Sequence, residues 1–489
     1  MTAYAIPKQH LFILFIAAFL IRAFTFCSFT SQNEYYKQAD SNDYHIGALC
    51  LSYGFGMCRP DTGEPQFWRT PGYSAYLVPF YKLFPPTGFQ FSDAAMAQKA
   101  SIWFQIFLSS FIPIILLYLA LLLTQNSIVG YVTAVITIFH LGLVLTSGYL
   151  LTEGISLLPF YLFLYFFYRN MAKENNRLSI FAALMLGLYT WIRPMGSYIA
   201  VVACIIMFIF LQGNWKHRCK KIALFMGCFL LLLSPWYIRN YYHTGYWFFC
   251  PMFGAYLNSF CAPRIVSSVE NIELIDAWKK LSSQAHIAHM QQKQIYFMQH
   301  RLHLPKEFVC GQIAWPIFLS HPLLAGYDWM REVFKTTFDL YASQLVAFVQ
   351  GCFFYDPLIE YLSTKLADCL YATPMPLAMR IIVYLELIYT ILLWMGLLYG
   401  LVIYMIRPLF TSSGKSDVKQ YKLWWSSAIM CAATVFMTGG FGYARLRLPV
   451  EPLMIIFSCV AWQQILFLFG GKTHSISKNI SRKKISVGV

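Results

Sequence analysis

The sequence predicts an all-α membrane protein of about ten transmembrane helices, with loops and amphipathic helices on one outer face. Three observations predict it. Apolar residues fill 58% of the 489 positions and charged residues only 12%, against roughly half and about a quarter in an average soluble domain. The apolar residues fall into runs of span length, about 20 residues each. The surplus of basic residues falls in alternate loops. A soluble globule of this size would lack the charge to cover its surface, and a disordered chain would not be so apolar.

The runs lie, in order, at 9–29, 101–123, 128–147, 153–168, 178–194, 195–212, 221–238, 378–406, 423–441 and 449–469. The pair 178–194 and 195–212 is separated only by Arg193-Pro194. The first run reads as a retained anchor: it is long, Arg22 interrupts it, and no small-x-small cleavage site follows. The stretch 71–84 is too short to span and rich in Tyr, which favours a boundary between dry and wet surroundings. It reads as an interfacial helix.

Orientation follows from the short loops. With the N-terminus in the cytoplasm, the inner loops and tail hold 17 basic residues against two acidic ones, Glu174 and Asp417, so most of the net +16 charge lies inside. That is the positive-inside pattern of a plasma (inner) membrane protein with both termini cytoplasmic. The basic balance is thus a topology signal and does not imply nucleic acid. The chain divides into an N-terminal transmembrane module, 1–238, which includes an outer loop, 30–99. A large outer region follows, 239–376, then C-terminal helices, 377–469, and a basic tail, 470–489, read as an anchor facing membrane lipids. The large outer region carries ten basic and ten acidic residues, as a folded polar surface would. Within it, 264–308 reads as one or two helices, and 321–345 as an amphipathic helix lying on the bundle or the interface.

Cysteines are scattered. Cys50 and Cys58 share one outer loop, and Cys250 and Cys261 another, so an oxidising compartment would allow either pair to bond. The plainer reading, small buried hydrophobes, is preferred for both. His286 with His289, and His300 with His303, have the spacing of zinc-binding pairs on a helix. With few carboxylates and no Cys pair beside them, they read as a solvated face.

The charges outside the basic loops are the informative ones, because each costs free energy at a membrane edge. Asp40, Asp43, Arg59 and Arg69 lie in the first outer loop. Glu153 opens the fourth run, Arg193 follows the fifth and Arg239 the seventh. Arg445, Arg447 and Glu451 stand at the outer start of the last. Each has a bland reading of its own: a solvated pair for Asp40 and Asp43, a helix-start carboxylate for Glu153, snorkelling anchors for the arginines. Together they place acids and guanidiniums on one leaflet. Arg suits bidentate phosphate contact, and a carboxylate suits removal of a proton from a hydroxyl or amine. No nucleotide-binding loop appears, so a donor working there must carry its own leaving group.

Several motifs then resemble those of one family. They are the Arg of Leu20-Ile21-Arg22, the run ADSNDYHIGALCLSYGFG (39–56), Arg69-Thr70-Pro71-Gly72-Tyr73 and LLTEGISLL (150–158), followed by WIRPMG (191–196), SPWYIRN (234–240), SHP (320–322) and RLRLPVEP (445–452). In this order they resemble the bacterial polytopic glycosyltransferases of the GT-C type, relatives of protein O-mannosyltransferases and of the aminoarabinose transferase acting on lipid A. The resemblance implies a polyprenyl-phosphate sugar donor, inversion at the anomeric carbon and an acceptor that is a glycolipid, a glycan or a protein. It implies Asp40 as the acceptor's general base and Glu153 as a second acid near the active site. Arg69 would contact the donor phosphate, with Asp43, Tyr44, Arg59, Tyr73, Arg193, Arg239, Arg445, Arg447 and Glu451 as further substrate-binding candidates. No metal ligand is assigned. Many relatives read Asp-Glu where this chain reads Asp40-Ser41. If the family's second acid helps to bind a divalent metal, this chain lacks that ligand. Rival readings are a lipid-linked sugar transporter, which would want charges in both halves of the membrane and internal repeats, and a lipid-linked glycan polymerase or ligase.

Overall fold

The computed structural model describes residues 6–30, 36–38, 40–59, 63–341, 377–402, 418–438 and 444–469. The basic tail, the last part of the large outer region (342–376) and the loop bearing Arg407 and Lys415 lie outside the described residues. What is described is helical, with one isolated β-bridge between Cys58 and Pro65.

Each predicted run is helical where described. α1 is Lys8–Thr25. The second run is two helices, α4 (Ala95–Ser109) and α5 (Ile112–Thr124). The third breaks at His140 into α6 (Ser127–Phe139) and α7 (Leu141–Ser147), bent by 50°. Then come α8 (Thr152–Lys173), α9 (Asn176–Ile192), α10 (Gly196–Phe210) and α11 (Trp215–Thr244). The C-terminal set is α17 (Leu377–Leu401), α18 (Val418–Thr438) and α19 (Glu451–Phe469). Among the described residues four helices, Lys8–Ser28, Phe91–Thr124, Trp215–Thr244 and Arg380–Leu401, are by themselves long and apolar enough to cross a membrane.

Local chemistry sets the boundaries. Glu174 ends α8 in the left-handed region (φ 50°), and the side chain of Asn175 then accepts from the Arg177 amide to start α9. Asn214 does the same for α11, and Gly245 ends it at φ 74°. Such caps satisfy amides that the helix itself leaves unpaired.

The core lies where α5, α8, α9, α10, α11, α18 and α19 meet, around Phe160, Tyr189, Phe229, Trp424 and Phe457. Gly396 and Gly400 of α17 lie close against Ser458 and Phe457 of α19, the small-residue approach common between membrane helices. Large apolar side chains such as Phe12, Phe24, Ile205 and Leu231 point outward. Such surfaces suit lipid and not water.

The two ends of the bundle differ chemically. At one end Glu174 accepts from the Gln212 amide at 2.9 Å, Lys221 reaches the Glu174 carbonyl at 2.9 Å, and Lys422 reaches the Phe210 carbonyl at 3.4 Å. Among the described residues, the loops at 174 and 212–221 and the Lys422 end of α18, expected on one face, meet there. The other end, about 30 Å away along α8, carries the outer elements.

Those elements are α2 (Ser41–Ser52), α3 (Pro71–Leu83), α12 (Met252–Tyr256), α13 (Ala262–Glu270), α14 (Leu274–His300), α15 (Lys306–Ser320) and α16 (Pro322–Phe338). The expected interfacial helix, α3, buries Tyr73, Leu77 and Tyr81. The polar stretch 264–308 resolves into α13 and one long α14, parted at Asn271 (φ 52°). Lys293 of α14 pairs with Glu64 at 2.7 Å and so ties the large outer region to the first outer loop. Cys50 and Cys58 form a disulfide, which corrects the expectation of unbonded thiols. Cys250 and Cys261 remain free.

Candidate active site

Three backbone contacts bring distant segments together. Ser41 Oγ donates to the Leu150 carbonyl at 2.9 Å, and the Leu150 amide donates to the Tyr36 carbonyl at 2.8 Å. The start of α2 is thereby fastened to the turn that precedes Glu153. Thr70 Oγ1 donates to the Ile192 carbonyl at 2.9 Å. Gly72 sits so close to the end of α9 that a Cβ there would lie 2.4 Å from the Trp191 carbonyl oxygen. Glycine permits the approach, and it puts Arg69 beside Arg193. Pro194 disfavours helical geometry at Arg193, which is extended at φ −132°, ψ 115°.

The side chains then meet. Arg69 donates through one terminal nitrogen to Asp40 Oδ1 at 2.6 Å and through Nε to Asp43 Oδ2 at 2.9 Å. Arg193 lies 3.1 Å from Glu153 Oε1. Arg445, on the single turn Ala444–Leu446, stands between the two pairs, 4.0 Å from Asp40 and 3.8 Å from Glu153. Six residues from five places in the chain thus form one cluster of three carboxylates and three guanidiniums. Asp40 keeps 33% of its side chain open and Arg445 27%, whereas Glu153 keeps 4%. Burial alone would push the Asp40 carboxyl up. Arg69 and Arg445 outweigh that and hold it below the ordinary carboxylate value. Asp40 is therefore ionised at neutral pH.

Tyr44 and Tyr73 stand behind the cluster. The Arg69 guanidinium lies 5.3 Å from the Tyr44 ring centroid, and Tyr44 meets Tyr73 edge-on at 5.0 Å. Tyr73 is fully buried and donates to Gln105 at 3.2 Å, so it supports the site from behind instead of contacting a substrate. Gln105 is a residue the sequence reading missed. Its Nε2 donates to the Ser147 and Tyr149 carbonyls, both at 2.9 Å, and holds the turn that carries Glu153. The available signal was Gln98, Ser101 and Gln105 recurring on one face of an otherwise apolar helix.

Four expected binding residues lie elsewhere. Arg239 clamps the first outer loop, donating to the Gln66 carbonyl at 3.1 Å and the Met57 carbonyl at 3.0 Å between the Phe67 and Trp236 rings. Arg447 is fully buried and donates to the carbonyls of Thr336, Thr337 and Asp339 and to Glu451 at 3.2 Å. Glu451 also meets His140 at 3.0 Å and the Tyr341 hydroxyl. Arg447 and Glu451 therefore pin the end of α16 to the last helix and have no open face for a substrate. Arg59 lies on the wall of a neighbouring cavity of about 500 Å³ that also reaches Asp43.

No three His, Cys, Asp or Glu side chains among the described residues form a group able to hold a metal ion. The carboxylates of the cluster face guanidiniums, a donor set that does not fit a divalent cation.

No family model and no curated protein matches the chain. Solved structures do. The archaeal oligosaccharyltransferase AglB from Archaeoglobus fulgidus, in complex with an inhibitory peptide and a dolichol-phosphate, matches 99% of this chain and 52% of its own at TM-score 0.51 and 11% identity. The apo form of the Archaeoglobus fulgidus oligosaccharyltransferase matches 98% and 52% at TM-score 0.50 and 12% identity. ArnT from Cupriavidus metallidurans bound to undecaprenyl phosphate matches 93% and 79% at TM-score 0.37 and 12% identity. The chain spans about half the length of the oligosaccharyltransferases it matches. At these identities the likeness is one of architecture, and the chain has the fold of the GT-C polytopic membrane glycosyltransferases.

Proposed function

We propose that this chain moves a sugar from a polyprenyl-phosphate donor to an acceptor at the outer face of the plasma (inner) membrane, by a single inverting displacement, with both its termini in the cytoplasm. One observation carries the reading: Asp40, ionised and partly open, sits among guanidiniums at one end of a membrane bundle. The fold it shares with a structure complexed with dolichol-phosphate supports a lipid-linked donor.

The chemistry follows from the geometry. The acceptor's oxygen or nitrogen attacks the anomeric carbon, its proton passes to Asp40, and the bond from that carbon to the phosphate oxygen breaks with its electron pair. The departing polyprenyl phosphate needs a cation. Arg69 already spends two donors on Asp40 and Asp43. Arg445 is more exposed than Arg69 or Arg193 and stands 4.0 Å from Asp40 and 3.8 Å from Glu153, so it is placed to turn toward phosphate. Glu153 holds Arg193 at 3.1 Å and so fixes it before the donor arrives.

The test uses the full chain in lipid nanodiscs with a tagged polyprenyl-phosphate sugar. Asp40→Asn should bind the donor normally and lose transfer by roughly 10²–10⁴-fold. Full activity in that variant would remove Asp40 from the mechanism.

A further inference from the structure

We propose that Asp339, at the end of α16, is a positioning residue that acts through Arg445: its carboxylate holds the turn that aims the Arg445 guanidinium at the site of the donor phosphate. The proposal rests on the sugar-transfer reading above and adds a residue that stands outside the cluster.

Arg445 is carried by a turn of three residues, Ala444–Leu446, closed by the Arg447 amide donating to the Ala444 carbonyl at 3.1 Å. The first amide of a helical turn has no acceptor within that turn. Here the Ala444 amide donates to Asp339 Oδ2 at 3.0 Å. A carboxylate in this place is both a cap and a charge-assisted acceptor. The amide it holds belongs to the residue before Arg445, so the bond fixes the direction in which that side chain leaves the backbone. Along that direction the guanidinium comes to stand 4.0 Å from Asp40 and 3.8 Å from Glu153.

Asp339 is itself fastened to the bundle. Two residues on, the Tyr341 amide donates to Glu386 of α17 at 2.6 Å. The Tyr341 ring fills the space beside Gly142, where a Cβ would come within 2.6 Å of it, and meets His140 edge-on at 5.3 Å. Both of those residues lie at the break between α6 and α7. The chain around Asp339 is thus locked into the membrane helices, and the turn bearing Arg445 is tied to it through one carboxylate. The end of the large outer region thereby enters the working of the site without touching a substrate.

The experiment uses the full chain in nanodiscs and two readouts. One is the affinity for undecaprenyl phosphate. The other is hydrogen exchange in the peptide that contains Ala444. Arg445→Gln should weaken binding about tenfold, the loss of one hydrogen bond to a charged group. Asp339→Ala should weaken it to a similar extent, and the double variant should bind no worse than Arg445→Gln alone, because one residue acts through the other. Asp339→Asn keeps an acceptor and should bind as the parent does. Exchange at the Ala444 peptide should quicken in Asp339→Ala and stay at the parent rate in Asp339→Asn. Asp339→Ser, too short to reach the amide, replaces the Ala variant if that elutes as aggregate. Additive losses in the double variant, undiminished binding in folded Asp339→Ala, or unchanged exchange there would overturn the positioning role. Failure of the wild-type chain to bind undecaprenyl phosphate would instead overturn the sugar-transfer reading, and exchange would still show whether Asp339 holds the turn.

Discussion

Arg445 and Arg447 are two residues apart, and the structure assigns them opposite duties. Replacing each by Gln separates those duties. Arg447 is fully buried and donates to three carbonyls and to Glu451. Removing its charge leaves Glu451 buried with His140 and Tyr341 as its polar partners among the described residues. Breaking a buried ion pair from one side costs about 3–5 kcal/mol. Arg447→Gln should therefore lower resistance to unfolding in an SDS titration by that amount, with transfer activity falling only as folded protein is lost. Arg445 stands 4.0 Å from Asp40 and 3.8 Å from Glu153 and is 27% exposed. Asp40 keeps Arg69 and Glu153 keeps Arg193 when that charge is removed, so the loss is held to about 1 kcal/mol. Arg445→Gln should leave the SDS midpoint nearly unmoved. If the guanidinium meets the leaving phosphate, transfer should fall by roughly 10²–10³-fold per enzyme. The reverse pattern, an unstable Arg445 variant and a stable inactive Arg447 variant, would refute the assignment of both residues.

Three further outcomes are expected. Gly72→Ala forces a Cβ against the Trp191 carbonyl; overpacking should cost about 1–3 kcal/mol, and transfer should fall further than stability because Arg69 and Arg193 are pushed apart. Cys58→Ser opens the loop closed at Cys50, a loss of about 2.5 kcal/mol on loop-closure entropy, readable as faster protease cleavage of the first outer loop. Burial lifts the Asp339 carboxyl to about 6 against the opposing pull of the Ala444 amide and Arg447. Its folded pKa thus exceeds its unfolded one, so stability is complete below about pH 4 and declines as pH rises through about 6, by about 3 kcal/mol at most. Asp339→Asn keeps an acceptor for the Ala444 amide and should be more stable than the parent at pH 7.5 but equal to it at pH 4, in the same SDS titration.

Much of this was legible from the residues. Apolar runs give helices at nearly the right limits because a bilayer imposes both length and composition. Glu153 could be singled out because a charge at the start of an apolar run is costly, and Asp40 because it falls in the first-outer-loop motif that carries the family resemblance. Depth along the bundle was therefore readable, but direction around each helix was not. Arg445 and Arg447 share a depth, yet residues two apart point to different sides of a helical turn. One faces the open cluster and the other is buried against the end of α16. Arg239 likewise sits at the right level and turns toward the first outer loop. The disulfide was undecidable for a related reason: eight residues of separation allow Cys50 and Cys58 to meet but do not oblige them to. Gln105 was overlooked because a polar stripe of Gln98, Ser101 and Gln105 does not name its partners, and its carbonyl partners come from a turn about 40 residues downstream.

The balance of three acids and three arginines has a consequence for timing. In the proposed reaction an arriving phosphate would draw Arg445 away from the carboxylates it faces. As Arg445 swings to the newcomer, Asp40 loses part of what depresses its proton affinity. The empty enzyme would then be a poor base, disinclined to activate stray water, and would become a better one only once its donor is loaded.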